Sequence, residues 1–83
     1  MTKKDKACAR IADRISAHRQ TYGRNSLKRI YMSKPLFVFL VGKTRAAKLL
    51  KGKTIILFGI ETVVYDSDEM EYSFTECLYK ESL

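Results

Sequence analysis

The stretch TIILFGIETVVYD, residues 54–66, decides the fold that this sequence can adopt. It is the one long run rich in Ile, Val, Phe and Tyr, which are residue types that favour β-strands. We therefore expect it to form a single central strand. Gly59 lies in its middle, where a glycine typically marks a bulge or a close approach of the backbone.

The residues that follow this stretch indicate a second strand. The acidic segment at residues 66–69 is typical of a turn, because Asp and Ser favour turns. After it, Met70, Tyr72 and Phe74 alternate with polar residues, as in a strand with one face in water. The two strands are predicted to pair as an antiparallel hairpin, and residues 78–83 either extend the second strand or fray.

Residues 1–23 are predicted to form one basic amphipathic helix that begins at Thr2 and ends at Gly23, since these residue types favour helix ends. Asp5 lies in the first turn, where a carboxylate is favourable. Side chains suited to a buried stripe recur at helical spacing: Ala7, Cys8, Ile11, Ile15, His18 and Tyr22. A basic ridge with the same spacing lies on the adjoining face and consists of Lys3, Lys6, Arg10 and Arg14.

The middle of the chain is predicted to hold a short strand at residues 28–32 and then a helix at residues 35–50. Ser33 suits the start of this helix, because the Pro35 that follows is tolerated in a first helical turn. An alternative interpretation makes residues 36–41 a buried strand and leaves only a short helix after it. Residues 36–41 are apolar on all sides, and Gly42 costs ~1 kcal/mol inside a helix relative to Ala.

A hydrophobic content of 46% is ordinary for a folded domain. With 83 residues we expect a single domain, residues 1–83, because the chain is too short for a second. The predicted class is α+β in the order α-β-α-β-β, with the helices on one face of an antiparallel-rich sheet. The basic helix precedes a β-α-β-β body at residues 27–78. Neither an apolar run of about 18 residues nor the apolar core of a signal peptide occurs, so we expect a cytoplasmic protein that does not enter a membrane.

Charge is distributed unevenly along the chain. Residues 1–53 contain 15 Lys or Arg and two Asp, a net charge of +13, whereas residues 54–83 contain one Lys and seven carboxylates, a net charge of −6. This asymmetry predicts an electrostatic dipole unless folding interleaves the two halves.

The basic ridge predicts binding to nucleic acid or to a nucleic-acid-bound protein, because neutralised phosphates release their counterions. The strongest candidates for phosphate contacts are Lys6, Arg10 and Arg14, with Lys3 and Arg24 as flanks. No helix-turn-helix, RNP-type or zinc-finger pattern is present, so weak sequence selectivity is expected. An acidic protein surface is the alternative partner, and self-association through opposite charges is a further one.

Three patterns that resemble catalytic or metal sites have simpler explanations. Residues 42–44, GKT, resemble the end of a phosphate-binding loop, but Phe37 stands where that loop needs a glycine. A calcium loop starting at residue 66 would need a glycine where Glu71 stands. Cys8 and His18 would lie about 15 Å apart along one helix, too far for a catalytic pair. We therefore expect a non-enzymatic protein without metal or cofactor, although a small metal-dependent hydrolase stays a third interpretation.

Two segments, RIYMSKPLFVFLVG at residues 29–42 and LFGIETVVYDSDEMEYSF at residues 57–74, resemble the β-α-β-β body of small bacteriophage accessory proteins. The shared features are a short strand, a helix that begins at a serine, and a strand that contains Gly-Ile and ends in an acidic turn. The resemblance implies a small protein that binds a host target, such as an inhibitor of a defence or transcription machine. It transfers no functional residue.

Overall fold

The computed structural model of this chain describes residues 2–74 and 78–81. Within them the chain forms three helices and a five-stranded mixed sheet, which confirms the α+β class. The elements are α1 (Lys3–Tyr22), β1 (Arg29–Ser33), α2 (Lys34–Val41), α3 (Lys43–Leu50), β2 (Ile55–Leu57), β3 (Ile60–Tyr65), β4 (Glu71–Ser73) and β5 (Leu78–Lys80). No helix in these two ranges is both long and apolar enough to cross a bilayer.

Helix α1 forms where the sequence predicts it, because both of its ends are capped. The Thr2 hydroxyl accepts a hydrogen bond from the backbone N–H of Asp5, and the Asp5 carboxylate accepts one from the backbone N–H of Thr2. Gly23 ends the helix with a φ of 107°, a conformation that favours glycine. The buried stripe of α1 is shorter than predicted and consists of Ala7, Ile11 and Ile15.

The sheet order is β2-β3-β1-β4-β5, so β1 is its central strand. Strand β1 runs parallel to β3 and antiparallel to β4. At the two edges of the sheet, β2 pairs antiparallel with β3, and β5 pairs antiparallel with β4. The register places Ile30, Met32, Ile60 and Tyr72 on one face, where they share a core with buried residues of all three helices. The opposite face carries exposed apolar side chains, including Ile56.

The prediction of a single strand over residues 54–66 is wrong. The segment folds back on itself as the β2–β3 hairpin, with Phe58 and Gly59 as the two turn residues. Their φ angles are 54° and 72°, and a two-residue type I′ turn requires positive φ at both positions. Gly59 therefore marks a reversal of the chain and not a bulge.

The predicted hairpin between residues 54–66 and residues 70–74 is also wrong. Strands β3 and β4 do not pair with each other, because β1 lies between them. The end of β1 holds β4 in place, since the buried Ser33 hydroxyl accepts a hydrogen bond from the backbone N–H of Glu71 at 3.0 Å. Residues 78–80 form a separate edge strand, β5, and do not extend β4, whereas residues 75–77 and 82–83 lie outside the described part of the chain.

The first interpretation of residues 35–50 is correct in its helix at residues 36–41, and the second is correct in its separate short helix after Gly42. Residues 36–41 are helical, as in the first one, so the alternative of a buried strand is wrong. The single long helix is also wrong, because Gly42 adopts a φ of 91° and separates α2 from α3. Ser33 caps α2 as predicted, and Leu36, Phe37 and Leu40 of this helix enter the core.

Candidate nucleic-acid interface

Arg10, in the middle of the predicted basic ridge, is held by a carboxylate from the end of the described chain. Its Nε and Nη2 atoms both donate to Oε2 of Glu81, at 2.9 Å and 2.6 Å. The Glu81 side chain is only 3% exposed, compared with 42% for Arg10. The hydrogen bond to Glu81 raises the pKa of the Arg10 guanidinium above its ordinary value. Arg10 therefore neutralises a buried charge and anchors α1 to the end of β5.

Arg14, the next residue of the ridge, serves the aromatic cluster under α1. Its Nη1 atom donates a hydrogen bond of 2.7 Å to the Tyr72 hydroxyl. Its guanidinium carbon lies 4.4 Å from the centroid of the Tyr79 ring, close enough for a cation–π interaction. Burial raises the pKa of Tyr72, and the hydrogen bond from Arg14 opposes this shift. Arg14 is thus part of the packing between α1 and strands β4 and β5.

The prediction that the basic ridge forms one exposed surface is therefore wrong for Arg10 and Arg14. A carboxylate near the acidic end of the chain pairs with the first, and tyrosine rings contact the second. Lys3 and Lys6 are exposed at the start of α1, and Arg24 is exposed beyond its end. Because α1 is about 30 Å long, these lysines and Arg24 lie far apart and do not form one site.

A second group of cations remains free on the surface around α3. We call it the α3 basic segment, and it consists of Lys43, Arg45, Lys48, Lys51 and Lys53, all exposed. Lys43, Arg45 and Lys48 lie on α3, whose Ala46 packs into the core, and Lys51 and Lys53 follow its end. The ion pairs formed by the described residues are Arg10–Glu81 and Arg29–Glu61, and neither involves this segment.

The sequence itself indicates this segment, although the regular spacing of cations in α1 is the more conspicuous pattern. The eleven residues KTRAAKLLKGK, 43–53, contain five cations, and no Asp or Glu occurs between Asp13 and Glu61. A basic stretch without carboxylates cannot neutralise itself locally, so its charge persists in the fold unless a distant acidic element covers it. The described residues place no such element there.

Hydroxyl groups at and after the end of β3 donate hydrogen bonds to the Glu71 carboxylate. Glu71 accepts one from the Tyr65 hydroxyl at 2.9 Å and one from the Ser67 hydroxyl at 3.3 Å. Asp66, Asp68 and Glu69 are exposed. Across residues 2–74 and 78–81, no three His, Cys, Asp or Glu side chains are grouped so that they could hold a metal ion. The acidic segment at residues 66–69 therefore belongs to a hydrogen-bonded loop.

Tyr65 provides a pH-dependent test of this loop. Burial, and then the hydrogen bond to Glu71, raise its pKa from 10.0 to about 12. The unfolded chain loses this proton near its ordinary pKa, so the contribution of Tyr65 to stability is fully present below pH 10 and is lost between pH 10 and about 12. Absorbance titration of wild type should show a tyrosine that ionises at about pH 12, and this signal should be missing from Tyr65→Phe. Titration of Tyr65 near the ordinary tyrosine pKa of 10.0 would contradict the described contact.

His18 organises the connection between α1 and β1. Its Nδ1 atom lies 3.2 Å from the Ser26 hydroxyl, and its ring packs against Tyr22 and Phe74 at centroid distances of 4.8 Å and 5.7 Å. The Ser26 hydroxyl in turn donates to the Gly23 carbonyl oxygen at 2.7 Å. His18 thus packs on the inner side of α1, and its contact with Ser26 connects α1 to the turn that contains Arg24.

Comparison of the chain with family models, curated proteins and solved structures finds no match. Its function is therefore inferred from the residues and the geometry described above.

Proposed function

We propose that this protein is a non-enzymatic binder of nucleic acid or of a nucleoprotein complex, and that the α3 basic segment makes the main phosphate contacts. The observation that supports this most directly is a set of five exposed cations on and after one short helix, without a carboxylate in that stretch of sequence. Duplex DNA carries one negative charge per roughly 1.7 Å of its axis, so several phosphates lie within reach of such a surface.

The contacts of the individual cations also favour the α3 basic segment over α1 as the phosphate-binding surface. Arg10 is bound to a buried carboxylate and Arg14 to a tyrosine hydroxyl, so binding a phosphate would first require these contacts to break. The cations of the α3 basic segment have no such cost. Since four of its five members are lysines, which bind phosphate as point charges and not in the bidentate geometry of arginine, the contacts set affinity but not sequence preference.

Salt dependence tests this proposal. With five phosphate contacts, the slope of log affinity against log salt is about −3.5 for a single strand and about −4.5 for a duplex. Affinity should therefore fall by about 100-fold or more between 50 and 200 mM salt. Fluorescence anisotropy with labelled oligonucleotides of unrelated sequences measures this directly. A lack of binding at low salt, or an affinity that does not change with salt, would refute nucleic-acid binding.

An acidic protein surface is the alternative partner, as for the inhibitor of a host machine that the phage resemblance implies. Affinity capture from host lysate, with and without nuclease, separates the two. Recovery that nuclease abolishes supports nucleic acid or a nucleoprotein, whereas one protein recovered equally in both cases supports the inhibitor.

A further inference from the structure

A groove of about 600 Å³ lies between the second half of α1 and the turn that joins β2 to β3. It is lined by Ala12, Ile15, Ser16, Arg19, Gln20, Arg24 and Phe58. This volume falls within the range of roughly 300–1,000 Å³ that is typical of small-ligand sites. Since its lining contains two guanidinium groups, an aromatic ring and no carboxylate, the groove suits an anion that carries a flat ring.

Phe58 occupies a turn position that disfavours a bulky side chain. Its φ of 54° lies in the left-handed region, where Gly, Asn and Asp are the usual residues of a type I′ turn. The residue also stays 38% exposed, so the strain is not offset by full burial. An aromatic ring held at local cost beside a groove indicates a role for the ring itself.

Arg19 lines the same groove and has one hydrogen-bond donor without a partner among the described residues. Its Nε atom is buried, and none of the described residues accepts a hydrogen bond from it. A buried donor without a partner is uncommon in folded proteins. Arg24 lines the same groove and is exposed, so a ligand can meet both guanidinium groups.

We propose that the groove binds one nucleotide of a single-stranded nucleic acid, with the base stacked on Phe58 and the phosphate held by Arg19 and Arg24. This inference rests on the proposed function and specifies its preferred substrate. A duplex buries the faces of its bases, so only a single strand can offer a base to Phe58. Ser16 and Gln20 offer hydrogen-bonding groups for the base or sugar.

Phe58→Asn tests the groove because it removes the ring while it favours the turn. We expect affinity for a single-stranded oligonucleotide to fall on the order of tenfold, duplex affinity to stay unchanged, and the thermal midpoint to stay level or rise. A single strand containing 2-aminopurine reports stacking on the ring through its fluorescence, and the variant should lose this signal. Ile56→Thr, which removes an exposed apolar side chain from the other face of the sheet, is the matched control and should bind like wild type.

A second variant tests the groove without changing the turn that contains Phe58. Arg24→Gln changes an exposed residue and should weaken single-strand binding more than duplex binding. Adenosine monophosphate should also shift the amide resonances of Arg19 and Phe58, whereas inorganic phosphate alone should leave Phe58 unchanged.

The outcomes separate this inference from the proposed function. If Phe58→Asn binds the single strand as tightly as wild type and keeps the 2-aminopurine signal, the groove is not the base site, and nucleic-acid binding by the α3 basic segment stands. If the wild-type protein binds neither single strand nor duplex at low salt, the proposed function fails and the groove inference fails with it.

Discussion

Arg10→Ala is expected to lower the thermal midpoint by on the order of 10 °C, because it leaves a buried carboxylate without its partner. Both Arg10 hydrogen bonds go to one oxygen of Glu81, whose other oxygen, Oε1, is buried and has no partner among the described residues. The carboxylate then lies in a poorly solvated place without a counter-charge, which favours detachment of β5 from the sheet. Amide hydrogen exchange at Glu81, whose N–H donates to the Met70 carbonyl oxygen, reports detachment of β5.

Two control variants make this prediction specific. Arg29→Ala breaks the exposed Arg29–Glu61 pair, whose shortest N–O distance is 3.7 Å, and should leave the midpoint close to that of wild type. The double variant Arg10→Met/Glu81→Leu replaces the buried pair by apolar side chains and should restore or exceed wild-type stability. A midpoint for Arg10→Ala equal to that of Arg29→Ala would show that α1 is not anchored to β5 through Glu81.

Replacing Lys43, Arg45 and Lys48 together by Gln is expected to reduce affinity for nucleic acid by about 100-fold at low salt, since each lost phosphate contact removes a share of the counterion release. Gln has a helix propensity close to those of Lys and Arg, and all three positions are exposed. Helix α3 should therefore persist, and circular dichroism checks this.

The matched control removes the same charge from α1. In Lys3→Gln/Lys4→Gln/Lys6→Gln the net charge also falls by three, and these residues are equally exposed. If only the overall charge attracts the nucleic acid, the two triple variants will lose affinity equally. A larger loss in the α3 variant locates the contacts there, and a larger loss in the α1 variant would return the site to the start of the ridge.

Local signals in the sequence predict α1 and the fold class well. The cap at Thr2, the carboxylate at Asp5 and the stop at Gly23 act within a few residues, so they can be read without knowledge of the fold. The start of α2 at Ser33 is predictable for the same reason. These features depend on backbone groups next to the capping residue and not on distant parts of the chain.

Chain reversals at unusual residues are harder to predict. The usual sequence signal for a type I′ turn is Asn-Gly or Asp-Gly, and Phe58 hides the turn inside what otherwise looks like one continuous strand. The order of the strands depends on contacts between residues far apart in the sequence, such as the hydrogen bond from Glu71 to Ser33 across 38 positions. No local pattern contains that information.

The candidate site is hard to predict from the sequence because it also depends on contacts between residues far apart in the chain. Helical spacing correctly places Arg10 and Arg14 on one side of α1, but it cannot show that Glu81, 71 residues later, lies against Arg10. In the α3 basic segment the absence of carboxylates is visible in the sequence itself. That these cations stay exposed depends on how α3 packs, which only the structure shows.

The slope of log affinity against log salt, measured for wild type and for both triple variants, is the most direct test of phosphate binding by α3. The slope for a single strand should become shallower by about 2 when Lys43, Arg45 and Lys48 are replaced, and should stay near the wild-type value when Lys3, Lys4 and Lys6 are replaced. An unchanged slope in the α3 variant would contradict phosphate binding at this helix.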